Sequence, residues 1–134
     1  MNVDKISIPQ ILRETGTIAV VGLSPKPGRP SHQVAAYLKD AGYDIIPVNP
    51  GQEEILGEKC YPDLVSIPRR IDLVDIFRRS EDVPPIVRQA IEIKARVVWM
   101  QLGIVNVEAA AEAREAGLTV IMDRCTKIDH QNLR

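Results

Sequence analysis

Ile18-Ala19-Val20-Val21 runs straight into Gly22-Leu23-Ser24-Pro25-Lys26-Pro27-Gly28-Arg29-Pro30-Ser31-His32, and this junction decides the fold. Four apolar residues in a row, without polar alternation, read as a strand buried on both faces. A turn rich in Gly, Pro and Ser follows, and Val34, Ala35 and Leu38 then recur at helical spacing. Strand, glycine turn and helix together open a β-α-β unit, whose crossover is right-handed. Outward from here the same rhythm repeats. Apolar runs rich in Val and Ile stand at 45–48, 73–76, 97–100 and 118–122.

The intervening segments have helical punctuation. Ser31 is placed to cap the helix after the first strand, and Gly42 to end it. Residues 80–85 precede Ile86, Val87, Ala90 and Ile91, an amphipathic pattern. Asn106 is placed to cap a helix through Ala109, Ala110 and Ala113 that stops at Gly117. A further helix around Ile8, Ile11 and Leu12 stops at Gly16. The expectation is an α/β fold: one Rossmann-like, doubly wound parallel sheet of about five strands with helices on both faces. The expected strand order is 3-2-1-4-5, and residues 1–134 form one domain. Residues 51–70 read as a long connection with a short helical piece at 63–66; a loop that long often has a function or covers a sheet edge.

Composition narrows the function. The 134 residues are 45% hydrophobic and 26% charged, with a formal net charge of −1. That is ordinary for a soluble domain and lacks the basic excess of a nucleic-acid binder. No apolar run reaches the roughly 20 residues that span a bilayer. The N-terminus lacks a signal-peptide layout, so a cytoplasmic protein is expected. Cys60 and Cys125 have no metal-ligand spacing and read as free thiols.

Ligands of open α/β sheets sit at the carboxyl ends of the strands. After the first strand, Gly22 permits a close approach to the backbone. The next helix offers free N–H groups and its positive dipole end to an anion. Lys26 and Arg29 add charge, and Ser24 and Ser31 add hydroxyls, so phosphate is the natural guest. A solvated turn is the plainer alternative. The loop matches neither Gly-x-Gly-x-x-Gly nor a Walker loop. After the second strand stands Asn49-Pro50, where NAD enzymes carry an acid for the ribose; this leaves NADP or coenzyme A open, or a simple turn. After the third stand Phe77 and Arg78. Phe77 covers a ligand or belongs to the core, while Arg78 is the better contact.

These strings, with Arg29-Pro30-Ser31-His32, Tyr37-Leu38, Gly42-Tyr43, Pro47-Val48-Asn49-Pro50, Phe77-Arg78, Trp99-Met100-Gln101-Leu102-Gly103 and Met122-Asp123-Arg124-Cys125, resemble the stand-alone CoA-binding protein family. The chain is also similar to the N-terminal CoA-binding domain of the succinyl-CoA synthetase α subunit, from about Thr17 to Ile128. The resemblance implies a Rossmann-like fold with CoA or an acyl-CoA across the carboxyl ends of the strands. It implies that Gly22, Leu23 and Ser24 pass close to the ligand and that Lys26, Arg29, Pro30 and Ser31 serve its phosphates. Val48, Asn49 and Pro50 would line the nucleotide end, with Phe77 and Arg78 beside it and Met100 and Gln101 further along.

No nucleophile with a base and orienting acid emerges. His32 beside Ser24 or Ser31 has no evident acid, and packing or capping at the helix start explains it. Asp72, Asp75 and Asp123 read as strand-edge carboxylates. The synthetase's phosphorylated histidine lies in a second domain without counterpart in these 134 residues. Cys125, with Arg124 beside it, reads as a buried thiol, or alternatively as one forming a mixed disulfide with CoA. The leading expectation is non-catalytic CoA binding. The alternatives are an NADP- or NAD-dependent oxidoreductase and a regulatory or interaction subunit that senses CoA. No protein partner is legible, and no nucleic-acid or membrane partner is expected.

Overall fold

The computed structural model describes residues 7–133. The first residues, read above for a leader, lie outside that range. Five parallel strands form the sheet: β1 (Thr17–Val21), β2 (Asp44–Val48), β5 (Leu73–Ile76), β6 (Val97–Met100) and β7 (Thr119–Ile121), in the order β2-β1-β5-β6-β7. Between β2 and β5 stands a small antiparallel hairpin, β3 (Glu54–Ile55) with β4 (Glu58–Lys59). The helices are α1 (Ile8–Glu14), α2 (Pro30–Asp40), α3 (Val83–Glu92), α4 (Val107–Glu115) and α5 (Thr126–Gln131).

Each strand supplies alternate side chains to two cores. Ala19, Val21, Ile46, Val74, Val98 and Val120 meet Val83 and Val87 of α3 and Ala109, Ala110 and Ala113 of α4. Ile18, Val20, Ile45, Leu73, Trp99 and Ile121 meet Ile11 and Leu12 of α1 and Val34, Ala35 and Leu38 of α2. The sheet is thus covered on both faces, as continuous apolar strands require.

The five strands, numbered in sheet-chain order, run 2-1-3-4-5, which corrects the expected 3-2-1-4-5. Pro47 supplies the reason. A proline has no N–H for a ladder, so it is confined to edges and bulges. Pro47 turns its outer side to the edge, where its carbonyl accepts from Tyr61 N at 3.0 Å. β2 is therefore an edge strand, and the next long strand must pass to the far side of β1.

Three further expectations change. Residues 63–66 form a turn instead of a helical piece: Asp63 Oδ1 accepts from Ser66 N at 2.9 Å and from Ser66 Oγ at 2.6 Å. The hairpin β3–β4 lies in the stretch read as a plain connection. Ser31 does not cap α2; Arg29 is the cap residue and Pro30 begins the helix. Asn106 caps α4 as expected, accepting from Ala109 N at 2.9 Å. Among the described residues no helix is long and apolar enough to cross a membrane.

Candidate functional site

The corrected order places the switch in strand order between β1 and β5, and the crevice opens at their carboxyl ends. A groove of about 520 Å³ lies there, lined by Gly22, Ser24, Arg29, Pro30, Ser31, Phe77, Arg78, Arg79, Asp82 and Ile104. Arg78 also walls a smaller slot of about 160 Å³ toward β2, formed with Val21, Val48, Pro50, Pro62, Leu64 and Ile86. The two spaces thus follow the strand ends from β2 across β1 and β5 to the loop after β6.

The loop between β1 and α2 is braced from several sides. Ser24 N donates to Ser31 Oγ at 3.0 Å, and Lys26 N donates to Ser24 Oγ at 3.1 Å. The His32 ring, through Nδ1, bonds the Ser24 carbonyl at 2.9 Å. Asn49 Nδ2 donates to the Leu23 carbonyl at 2.8 Å. Both serine hydroxyls accept within the loop and keep their own hydrogens for an outside acceptor. His32 is therefore a brace, and its ring faces a carbonyl instead of a hydroxyl.

Gly22 has φ +87°, and a Cβ there would lie 2.1 Å from the Phe77 carbonyl oxygen. The group that needs the bare backbone is thus the neighbouring strand end. This close approach brings the first and third loops together and forms the groove floor.

Charge follows. Among the described residues Lys26, Arg29 and Arg78 form no ion pair, whereas Arg79 is paired with Asp82 at 3.0 Å and Glu81 at 3.7 Å. The amino end of α2 has no side-chain cap, so its first N–H groups stay open to an anion. Unpaired guanidiniums, free hydroxyls and an open helix end suit a phosphate-bearing ligand.

Within β5, two residues before Phe77, lies an unforeseen buried carboxyl. Asp75 sits at the centre of the middle strand, fully buried, paired in register with Val20 and Trp99. This corrects its reading as a strand-edge acid. Burial drives its pKa up to about 8, more than the Thr126 hydroxyl brings it down. Thr126 Oγ1 stands 2.9 Å from both Asp75 Oδ2 and Gln101 Oε1, and Thr126 N donates to the same Gln101 oxygen at 3.1 Å. One hydroxyl hydrogen cannot serve two acceptors. The chain closes only with a neutral Asp75 whose Oδ2–H donates to Thr126, which donates on to Gln101. Asp75 Oδ1 has no partner.

The fold brings Gly22, Ser24, Arg29, Pro30, Ser31, Phe77 and Arg78 to the groove and Val48 and Pro50 to the slot. Asn49 stands behind the first loop as its brace. Lys26 is exposed at the loop tip. Leu23 and Met100 are fully buried, so their side chains belong to the core and do not line the groove. Gln101 is also buried, its oxygen held by Thr126. Sequence reasoning missed Ile104 and Asp82 as lining residues. It also missed Thr126, for which the signal was a lone acid inside Leu73-Val74-Asp75-Ile76, since a buried acid needs a partner. Arg124 faces away from any role beside Cys125: its guanidinium makes two 2.8 Å bonds to Asp129. Both cysteines are free. Among the described residues no group of three or more His, Cys, Asp or Glu could hold a metal. A cleft of about 380 Å³ at the amino ends of the strands involves Glu14, Asp72, Lys94 and Arg96 and lies at the opposite end of the sheet.

The sequence and fold match known proteins. The model of a family described as CoA binding domain matches residues 16–131. The uncharacterized protein YneT of Bacillus subtilis (strain 168) is 48% identical over 129 residues, covering 96% of each chain. Acetate–CoA ligase [ADP-forming] II of Archaeoglobus fulgidus is 34% identical over 86 residues, which take in 61% of this chain and 13% of that enzyme. Among solved structures, a hypothetical protein from Pyrococcus horikoshii OT3 superposes with a TM-score of 0.93 at 43% identity, covering 99% of this chain and 96% of that one.

Proposed function

Because the chain belongs to this family of CoA-binding domains, we propose that it binds coenzyme A, or an acyl-CoA, across the carboxyl ends of its parallel strands, and that residues 1–134 act as one binding domain. The observation that carries the reading is the set of unpaired cations, Lys26, Arg29 and Arg78, around a braced loop at the switch point. Arg29, Arg78 and the hydroxyls of Ser24 and Ser31 receive the diphosphate, with Lys26 at the entrance. The slot at Val48 and Pro50 receives the adenine end, and Phe77 covers the path between. The name of the Archaeoglobus relative, a ligase of acetate and CoA, supports a CoA-type ligand.

The proposed role is binding without chemistry. His32 is engaged by a backbone carbonyl, Gln101 by Thr126, and Arg124 by Asp129. None is left poised over the groove as an acid or base.

The test is thermal unfolding with CoA, dephospho-CoA, NAD and NADP. A ligand at about 100 times its Kd adds roughly 2.7 kcal/mol to the folded state, several degrees for a domain this size. A shift with CoA and none with NAD or NADP is expected. A shift with NADP alone would overturn the reading in favour of a reductase.

A further inference from the structure

The loop after β6 continues the groove with a surface that phosphate chemistry does not explain. Ile104 lines the groove on that side. Around it Leu102, Val105 and Val107 are 65%, 42% and 67% exposed. Five large apolar side chains are exposed among the described residues, and three of them fall within this stretch of six. Single exposed apolar residues are ordinary, but their concentration in the segment that carries Ile104 marks a contact surface.

The loop is also held in place. Gly103 N donates to Asp123 Oδ1 at 2.6 Å, Ile104 N to the Gln101 carbonyl at 2.9 Å, and Val105 N to Ser80 Oγ at 3.1 Å. Asn106 Nδ2 donates to the Ser80 carbonyl at 3.0 Å. The apolar side chains are thus displayed on a fixed frame.

Strand order sets the direction. The slot stands at β2 and β1, the unpaired cations at β1 and β5, and Ile104 beyond β6. With the adenine in the slot and the diphosphate on the cations, the rest of the ligand runs over β5 and its thiol end arrives at Ile104. We infer that Leu102, Ile104, Val105 and Val107 form an apolar ledge for the acyl chain of a medium-chain acyl-CoA. This inference rests on the CoA reading above.

Full burial of a methylene raises affinity about fourfold, and a chain lying on an open ledge gains about twofold per methylene. Octanoyl-CoA, with its six further methylenes, should therefore bind about sixtyfold tighter than acetyl-CoA if the whole chain lies on the ledge, and about tenfold tighter if half of it does. The experiment titrates CoA, acetyl-CoA and octanoyl-CoA by calorimetry into the full chain and into the variant Leu102→Ser/Val105→Ser/Val107→Ser. The expected result is a chain-length gain in the unmodified protein that the variant loses while still binding CoA. Equal affinity for acetyl-CoA and octanoyl-CoA, with CoA bound, would overturn the ledge and leave the CoA reading standing. A gain that survives in the variant would overturn its placement. Binding of none of the three would overturn the CoA reading itself, and the ledge with it. Sedimentation of both proteins adds a last outcome: a dimer that the substitutions dissolve would assign the patch to a second copy and overturn the acyl-chain role. The chain-length series on the unmodified protein stands even if the variant does not fold.

Discussion

Replacing Asp75 by asparagine keeps the shape of the side chain and removes its titration. In the folded protein burial holds the Asp75 carboxyl up near pH 8, against an ordinary value of 3.8. The folded chain therefore binds one more proton than the unfolded chain between those values. The sign follows from linkage: this group's contribution is fully present below about pH 4 and is lost as pH rises through 8. Each pH unit in that window costs the wild type about 1.4 kcal/mol relative to a side chain that cannot ionise. Asparagine at 75 donates from Nδ2 to Thr126 as the protonated acid does and leaves one oxygen unpartnered, as now; its second N–H is a further unpartnered group, a cost independent of pH. Relative to wild type, Asp75→Asn should therefore gain about 3 kcal/mol between pH 5 and pH 7 and change no further above pH 8. Urea unfolding of both proteins at pH 5, 6, 7, 8 and 9 reads this directly, since the difference cancels every other titrating group. A difference independent of pH would refute the neutral-acid assignment and with it the proton order Asp75, Thr126, Gln101.

Gly22→Ala should lose about 3 kcal/mol or more, because a positive φ and a 2.1 Å approach to the Phe77 carbonyl both oppose a Cβ; the denaturation midpoint checks it. Asn106→Ala should lower stability by about 1 kcal/mol through the lost cap on Ala109 N, with an unchanged denaturant slope. Arg78→Ala should weaken CoA binding by about tenfold and flatten its salt dependence, while Arg79→Ala should weaken it by less, through the charge it uncovers on Glu81 and Asp82, because those carboxylates already hold that guanidinium; calorimetry at two salt concentrations separates them.

Strands and helix ends were legible where one residue type has one physical meaning. Runs of Val and Ile without alternation located all five strands of the sheet, and Asn106 located the start of α4. The strand order was misread although Pro47 carried the information, since a strand with a missing N–H belongs at an edge. Ser31 was misread because its hydroxyl has two possible partners. It answers Ser24 N across the loop instead of its own helix, a choice that tertiary contact makes. The hairpin at 54–59 escaped notice because two-residue strands leave no periodicity to read. Most residues named at the strand ends lie at the carboxyl end of the sheet. Which of them face the groove was not legible, because adjacent residues on a strand point to opposite faces. Met100, at the end of β6, thus fell into the core; Leu23 and Ile104 stand in loops, where no periodicity separates inside from rim.

The central claim is that the groove between β1 and β5 takes coenzyme A. Calorimetric titration of CoA into the purified protein tests it most directly, after denaturation and mass spectrometry of a sample show that no ligand copurifies. A saturable isotherm with one CoA per chain, weakening as salt rises, is expected. Absence of saturation at millimolar CoA in a ligand-free sample would contradict it.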